Sequence, residues 1–171
     1  LLFESNGMIS HRIGLGTDIH RLEEPGPLLL GGVTVPHDRH AVGHSDADTL
    51  LHAITDAILG AAGLGDIGQL FPDTDPANRG RASDDMLRRA WSLAVEQGWR
   101  LANLDCTIHA QRPKLAPFIP EMKKRVADIL GVSPEKISIK AKTGEGVDAV
   151  GREEAIAAQA VVLLWRSTEQ D

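Results

Sequence analysis

Arg12-Ile13-Gly14-Leu15-Gly16-Thr17-Asp18, continued by Ile19-His20, is the stretch from which the rest of this chain can be read. Apolar residues alternate with glycines and polar groups, and Arg12–Asp18 is expected as the first strand. Successive side chains on extended backbone point to opposite faces, so Asp18 and His20 point the same way and can grip one ion. His52 lies in residues 47–62, where apolar residues recur at helical spacing, so a helix would bring a third ligand from a different element. One carboxylate and two imidazoles leave a tetrahedral position open, the pattern of a catalytic rather than a structural zinc site. Asp-x-His is a common tripeptide that, taken alone, is far more often a solvated turn or a capped strand end than a metal site. Asp48, His52 and Asp56 share one helical face at i, i+4 and i+8. A carboxylate one turn away can accept the other imidazole N–H, so Asp48 and Asp56 are expected to orient His52.

Outward from this core, strands and helices alternate. Leu28–Gly32 with Val33–Pro36 reads as a short hairpin turning at Gly31-Gly32. His44-Ser45-Asp46 offers capping oxygens for the His52 helix, and Gly63 can close it. Ser83-Asp84-Asp85 opens a second helix whose apolar residues Met86, Leu87, Ala90, Trp91, Ala94 and Val95 share a face until Gly98. A strand over Leu101–Ala110, a helix over Pro113–Leu130 and strands over Ile137–Lys142 and Ile156–Trp165 complete the pattern. The expected fold class is α/β (α+β), with helices covering one face of a mixed four-stranded sheet.

The 171 residues suit one domain, read as 8–171, and contain no linker, repeat or low-complexity tract. Residues 1–7 have neither the basic start nor the apolar core of a signal peptide and read as a remnant or extension ahead of Met8. Eighteen Lys and Arg against 24 Asp and Glu give a formal charge of −6, which argues against a nucleic-acid footprint and for small-molecule work. The apolar runs are too short to span a bilayer. A lone Cys106 excludes an intrachain disulfide, fits a reducing cytoplasmic compartment and reads as a strand residue rather than a nucleophile.

Two polar segments fall between the elements. Phe71-Pro72-Asp73-Thr74-Asp75-Pro76, preceded by Gly65-Asp66-Ile67-Gly68, reads by itself as an Asx-rich turn. Lys142-Thr143-Gly144-Glu145-Gly146 ends a strand and looks like a phosphate cradle. Its glycines permit close backbone approach, Lys142 and Thr143 can meet phosphate oxygens, and Glu145 can hold a hard cation such as Mg²⁺. The spacing of a Walker loop is absent.

Taken in order, Gly16–His20, Gly31-Gly32, Gly43–Asp48, His52–Ala57, Gly63–Gly68, Phe71–Asp75 and Gly151-Arg152 resemble the 2-C-methyl-D-erythritol 2,4-cyclodiphosphate synthase family. The likeness runs over about residues 12–166. It implies a phosphorus-oxygen lyase of the non-mevalonate isoprenoid pathway that converts 4-diphosphocytidyl-2-C-methyl-D-erythritol 2-phosphate into the cyclic diphosphate and CMP. The substrate's own 2-phosphate attacks the β-phosphorus, so the protein's task is positioning and charge neutralisation.

The resemblance further implies that Asp18, His20 and His52 hold Zn²⁺ and that Glu145 holds Mg²⁺ or Mn²⁺, one of each ion per active site. His44 and Thr143 match transition-state stabilisers, and Ser45 lies in a loop that closes on the substrate. Asp66, Ile67, Gly68 and Phe71, Pro72, Asp73, Thr74, Asp75 correspond to contacts with the methylerythritol phosphate. Ala110, Gln111, Arg112, Pro113, Lys114, Leu115 and Ala116 match the cytidine pocket. Lys142, Gly144, Ala149 and Arg152 fall where the family meets the diphosphate or the trimer axis, because its members are homotrimers built around packed sheets, with active sites between subunits. The chain departs from the family in Lys142-Thr143-Gly144, where three threonines are common, and in Asp148-Ala149-Val150, where the usual aromatic is missing. Two other classes remain open at this point: a metal-dependent nucleotide phosphohydrolase, and a non-catalytic trimeric metal- or ligand-binding protein.

Overall fold

The computed structural model describes residues 8–72 and 74–168. Strand β1 covers Met8–Glu23 and pairs antiparallel with β7 (Ala155–Thr168) along nearly its whole length, from Met8 opposite Thr168 to Arg21 opposite Ala155. Strand β5 (Arg100–His109) joins the other side of β7 antiparallel, and β6 (Ile137–Lys142) runs parallel to β5. The sheet has five strands rather than the expected four, because β4 (His40–Val42) pairs with the end of β1 through Arg21, Leu22 and Glu23. Three residues are too few to carry an alternation signal, which is why the sequence hid that strand. Leu28–Leu30 (β2) and Val33–Val35 (β3) form the separate hairpin, with Gly31 and Gly32 at φ +61° and +71° as a two-residue turn of this kind requires.

Helices α1 (Thr49–Ala62) and α4 (Ile119–Leu130) pack on the sheet, and α3 (Ser83–Glu96) packs against α1 and α4. Short helices α2 (Ile67–Leu70) and α5 (Asp148–Gly151) were not anticipated. The expected helix over 113–130 begins only at Ile119, with Pro120 in its first turn, where a missing N–H costs nothing. Among the α3 residues grouped on one face, Val95 turns out to be exposed while Met86, Leu87, Ala90 and Ala94 are buried.

The inward face of β1 carries Gly14, Gly16, Asp18 and His20, while Ile13, Leu15 and Ile19 point to the uncovered side of the sheet. A Cβ at Gly14 would sit 1.8 Å from the carbonyl oxygen of Ala57, and one at Gly16 would sit 1.9 Å from that of Ala53. Backbone therefore meets backbone: α1 lies against the bare glycines of β1 through its small residues Ala53 and Ala57. This contact fixes α1 along the strand and sets His52, next to Ala53, over Asp18 and His20.

Candidate metal centre and substrate cleft

Ligand atoms of Asp18, His20 and His52 lie within 4.8 Å of one another, and no other cluster of three or more such ligands occurs among the described residues. Asp18 Oδ2 is 2.9 Å from His20 Nε2 and 3.2 Å from His52 Nδ1, and the two ring nitrogens are 3.2 Å apart. His20 Nδ1 donates to the carbonyl of Val42 at 2.9 Å, so in the neutral ring Nε2 carries a lone pair. His52 turns Nε2 toward the hydroxyls of Ser45 and Ser83, leaving Nδ1 for the cluster. Lone pairs of a carboxylate and two imidazoles thus converge on one point. Such a set needs a cation or a proton among its members, and carboxylate and imidazole donors at this spacing suit a divalent ion.

The electrostatics agree. Burial by itself would raise the Asp18 pKa, but hydrogen bonds and charge from His20 and His52 outweigh it and pull the carboxyl down to about 2. Burial would lower His20, yet its bond to Asp18 and the charge on that carboxylate raise it above its ordinary value.

Asp48 and Asp56 do not hold His52, contrary to the spacing argument. Asp48 is fully buried, which pushes its carboxyl up. It caps α1 by accepting from Leu51 N–H at 3.1 Å, a task expected of residues 44–46, and takes the turn amides of Gly31 and Gly32 at 2.8 and 2.7 Å. Asp56, also raised by burial, accepts from Ile67 N–H at 2.7 Å and so anchors the start of α2. The groups actually at His52 Nε2 are Ser83 and Ser45, which no periodicity could have indicated.

A cavity of about 210 Å³ opens beside the triad, lined by His20, His52, His44, Ser45, Ile67, Gly68 and Phe71. Asn78 and Met86 also line it and were missed, since neither carries a motif. Asp66 caps α2 by accepting from Gln69 N–H at 2.8 Å, and Asp75 accepts from Ala77 N–H at 2.9 Å in the turn that begins at Pro76. Pro72 bonds Asn78 through its carbonyl, Thr74 is exposed, and Asp73 lies outside the described residues.

A second cavity, about 740 Å³, is lined by all of 110–116 together with Lys142, Thr143, Glu153, His37 and Asp38. It shares no lining residue with the triad cavity. Thr143 Oγ1 donates to Glu145 Oε1 at 2.8 Å, and Glu145 is not among the triad's partners. Gly144 and Ala149 instead line a third cavity, of about 360 Å³, with Ile19, His109 and Gln159. Arg152 is exposed and paired with Glu154 at 3.0 Å. Cys106 is a buried strand residue whose thiol burial pushes up to about 12, far from nucleophilic.

Residues 11–165 match the model of the YgbB family. A protein of Lysinibacillus sphaericus named 2-C-methyl-D-erythritol 2,4-cyclodiphosphate synthase is 52% identical over 155 residues, covering 91% of this chain and 98% of the relative. A Bacillus cereus protein of the same name is 54% identical over 155 residues, with the same coverage of 91% and 98%. Among solved structures, a synthase of that name with CDP bound superposes with a TM-score of 0.83 at 43% identity, covering 90% of this chain and 99% of the other. The bifunctional IspDF of Campylobacter jejuni gives a TM-score of 0.89 at 40% identity over 93% of this chain, which spans 43% of that longer protein.

Proposed function

The chain belongs to the YgbB family, and from that premise we propose that it closes 4-diphosphocytidyl-2-C-methyl-D-erythritol 2-phosphate to 2-C-methyl-D-erythritol 2,4-cyclodiphosphate. An oxygen of the substrate's 2-phosphate forms a bond to the β-phosphorus, the bond from that phosphorus to the bridging oxygen breaks, and CMP leaves with the electron pair. The observation that carries this reading is the convergence of three lone-pair donors, Asp18, His20 and His52, at the edge of a cleft, in a chain that matches named synthases over nine-tenths of its length.

Asp18, His20 and His52 would hold Zn²⁺, and Glu145 would hold Mg²⁺ or Mn²⁺. When bound, the two cations withdraw charge from the diphosphate oxygens. The protein does the rest by placement. The 740 Å³ cavity is large enough for a nucleoside, and main-chain groups of 110–116 can read the cytosine edge. Lys142 and Thr143 border the same cavity and face the phosphates from the nucleotide side. His44 and Ser45 approach from the triad side, where Ile67, Gly68 and Phe71 exclude water; Asp66, which caps α2 just beyond that lining, would accept from a diol hydroxyl. Two observations favour a homotrimer with shared sites: the two cavities are separate within one chain, and Ile13, Leu15, Ile19 and Val161 are exposed on the uncovered sheet face. No helix of the described residues is long and apolar enough to cross a membrane. The lone buried thiol suits a cytoplasmic enzyme.

Incubation with the diphosphocytidyl substrate, followed by phosphorus NMR, tests the proposal. Cyclic diphosphate plus CMP is expected. Open-chain phosphates would identify a hydrolase instead, and unchanged substrate with bound nucleotide would identify a binding protein.

A further inference from the structure

On the reading that Asp18, His20 and His52 hold the metal, we propose that Ser83, gripped by Asp46, is the positioning residue that sets His52 as a ligand. Ser83 is fully buried at the start of α3, and its Oγ lies 2.8 Å from His52 Nε2. Its hydroxyl bonds Asp46 Oδ1, and its backbone N–H donates to Asp46 Oδ2 at 3.0 Å. One carboxylate therefore holds both the side chain and the main chain of Ser83.

The direction of these bonds decides the state of the ring. A carboxylate only accepts, so the single O–H proton of Ser83 is committed to Asp46 and its oxygen is left with lone pairs. Those lone pairs can take a proton only from His52 Nε2. With Nε2 protonated, Nδ1 carries the lone pair, and Nδ1 is the atom 3.2 Å from both Asp18 Oδ2 and His20 Nε2. Asp46, Ser83 and His52 thus form a one-way chain that turns the metal-binding nitrogen outward before any ion arrives. Asp46 is also in the loop that carries His44 and Ser45, so the same grip ties the substrate loop to α3 and to the metal ligand. Ser45 Oγ, at 3.1 Å from Nε2, also accepts from Ala47 N–H and supports the ring from the loop side.

The test uses the whole chain, its zinc affinity measured by competition with a chromophoric chelator, and the visible spectrum of the cobalt(II)-loaded protein. Ser83→Ala is expected to weaken zinc binding by about ten- to hundred-fold and to shift the cobalt bands. Ser83→Thr, which keeps the hydroxyl, should stay within a few-fold of the parent; a loss equal to alanine's would show that packing matters and the hydroxyl does not, overturning the proposal. A merely structural Ser83 would lower the melting temperature of the metal-free chain and leave affinity and spectrum unchanged, which also overturns it. If Ser83→Ala does not fold, Asp46→Asn decides: weaker zinc binding supports the chain of bonds, and parental affinity refutes it. A parent protein that binds no zinc would remove the metal reading itself, an outcome distinct from a parent that binds zinc with indifferent variants.

Discussion

At the scale of single residues, the triad was legible because alternation on a strand and periodicity on a helix are properties of local sequence. Asp18 and His20 two apart, and His52 on an apolar helix, were enough to nominate three ligands. The partners of His52 were not legible, because Ser83 reaches it from another helix and serine carries no spacing signature. Asp48 and Asp56 had the right spacing and were drawn away by backbone amides, which bind a buried carboxylate strongly. Two predictions belong here. His52→Ala should lose zinc and nearly all turnover while keeping its circular dichroism, since the apolar face of α1 is untouched; retained zinc would remove His52 from the ligand set. The Asp18 carboxyl, lowered from 3.8 to about 2, adds stability to the metal-free chain that is complete above the unfolded value and disappears as pH falls through the folded one. That difference corresponds to about 2 kcal/mol. His20 acts in the other sense, its contribution being present below 6.5 and lost as pH climbs through its raised value. Urea midpoints of the chelated protein between pH 4 and pH 2 should therefore fall in the parent and fall much less in Asp18→Asn, and equal slopes would refute the assignment.

At the scale of elements, the strand and helix periods gave β1, β5, β6, β7, α1 and α3 their approximate places. Elements of three or four residues, β4, α2 and α5, escaped because no period develops over so short a run. The sequence also contained Gly14-x-Gly16 and Ala53-x-x-x-Ala57 in plain view. That these two patterns meet is a long-range fact, and neither alone announces it. Gly16→Ala is expected to force α1 off the strand and to destabilise the chain by about 3 kcal/mol or more in urea melts, at the upper end of overpacking costs. A loss below about 1 kcal/mol would mean that the seam yields easily. Asp48→Ala should cost a similar amount, about 3 kcal/mol, because it removes the α1 cap and strands the amides of Gly31 and Gly32. If its urea midpoint matched the parent's, water would have to be satisfying those amides.

For the whole molecule, the layer arrangement was legible from the order of elements, whereas the proposed pairing of the 740 Å³ cavity with the triad cavity across subunits leaves no signal in the local sequence. Sedimentation should give a trimer. A His52→Ala subunit mixed with one altered at Lys114 should recover some activity in hybrid assemblies, and verified hybrids without recovery would count against shared sites. The glycine face of β1 bears on how reliably such an assembly is made. A pairing error of one residue along β1 would turn Ile13, Leu15 and Ile19 toward a helix that has no space for a single Cβ, and would carry Asp18 and His20 to the opposite side. The bare glycines thus act as a proofreading edge: a chain with β1 out of step cannot close against α1, and it cannot bring Asp18 and His20 to His52. Metal content in a purified batch should for this reason count correctly folded molecules.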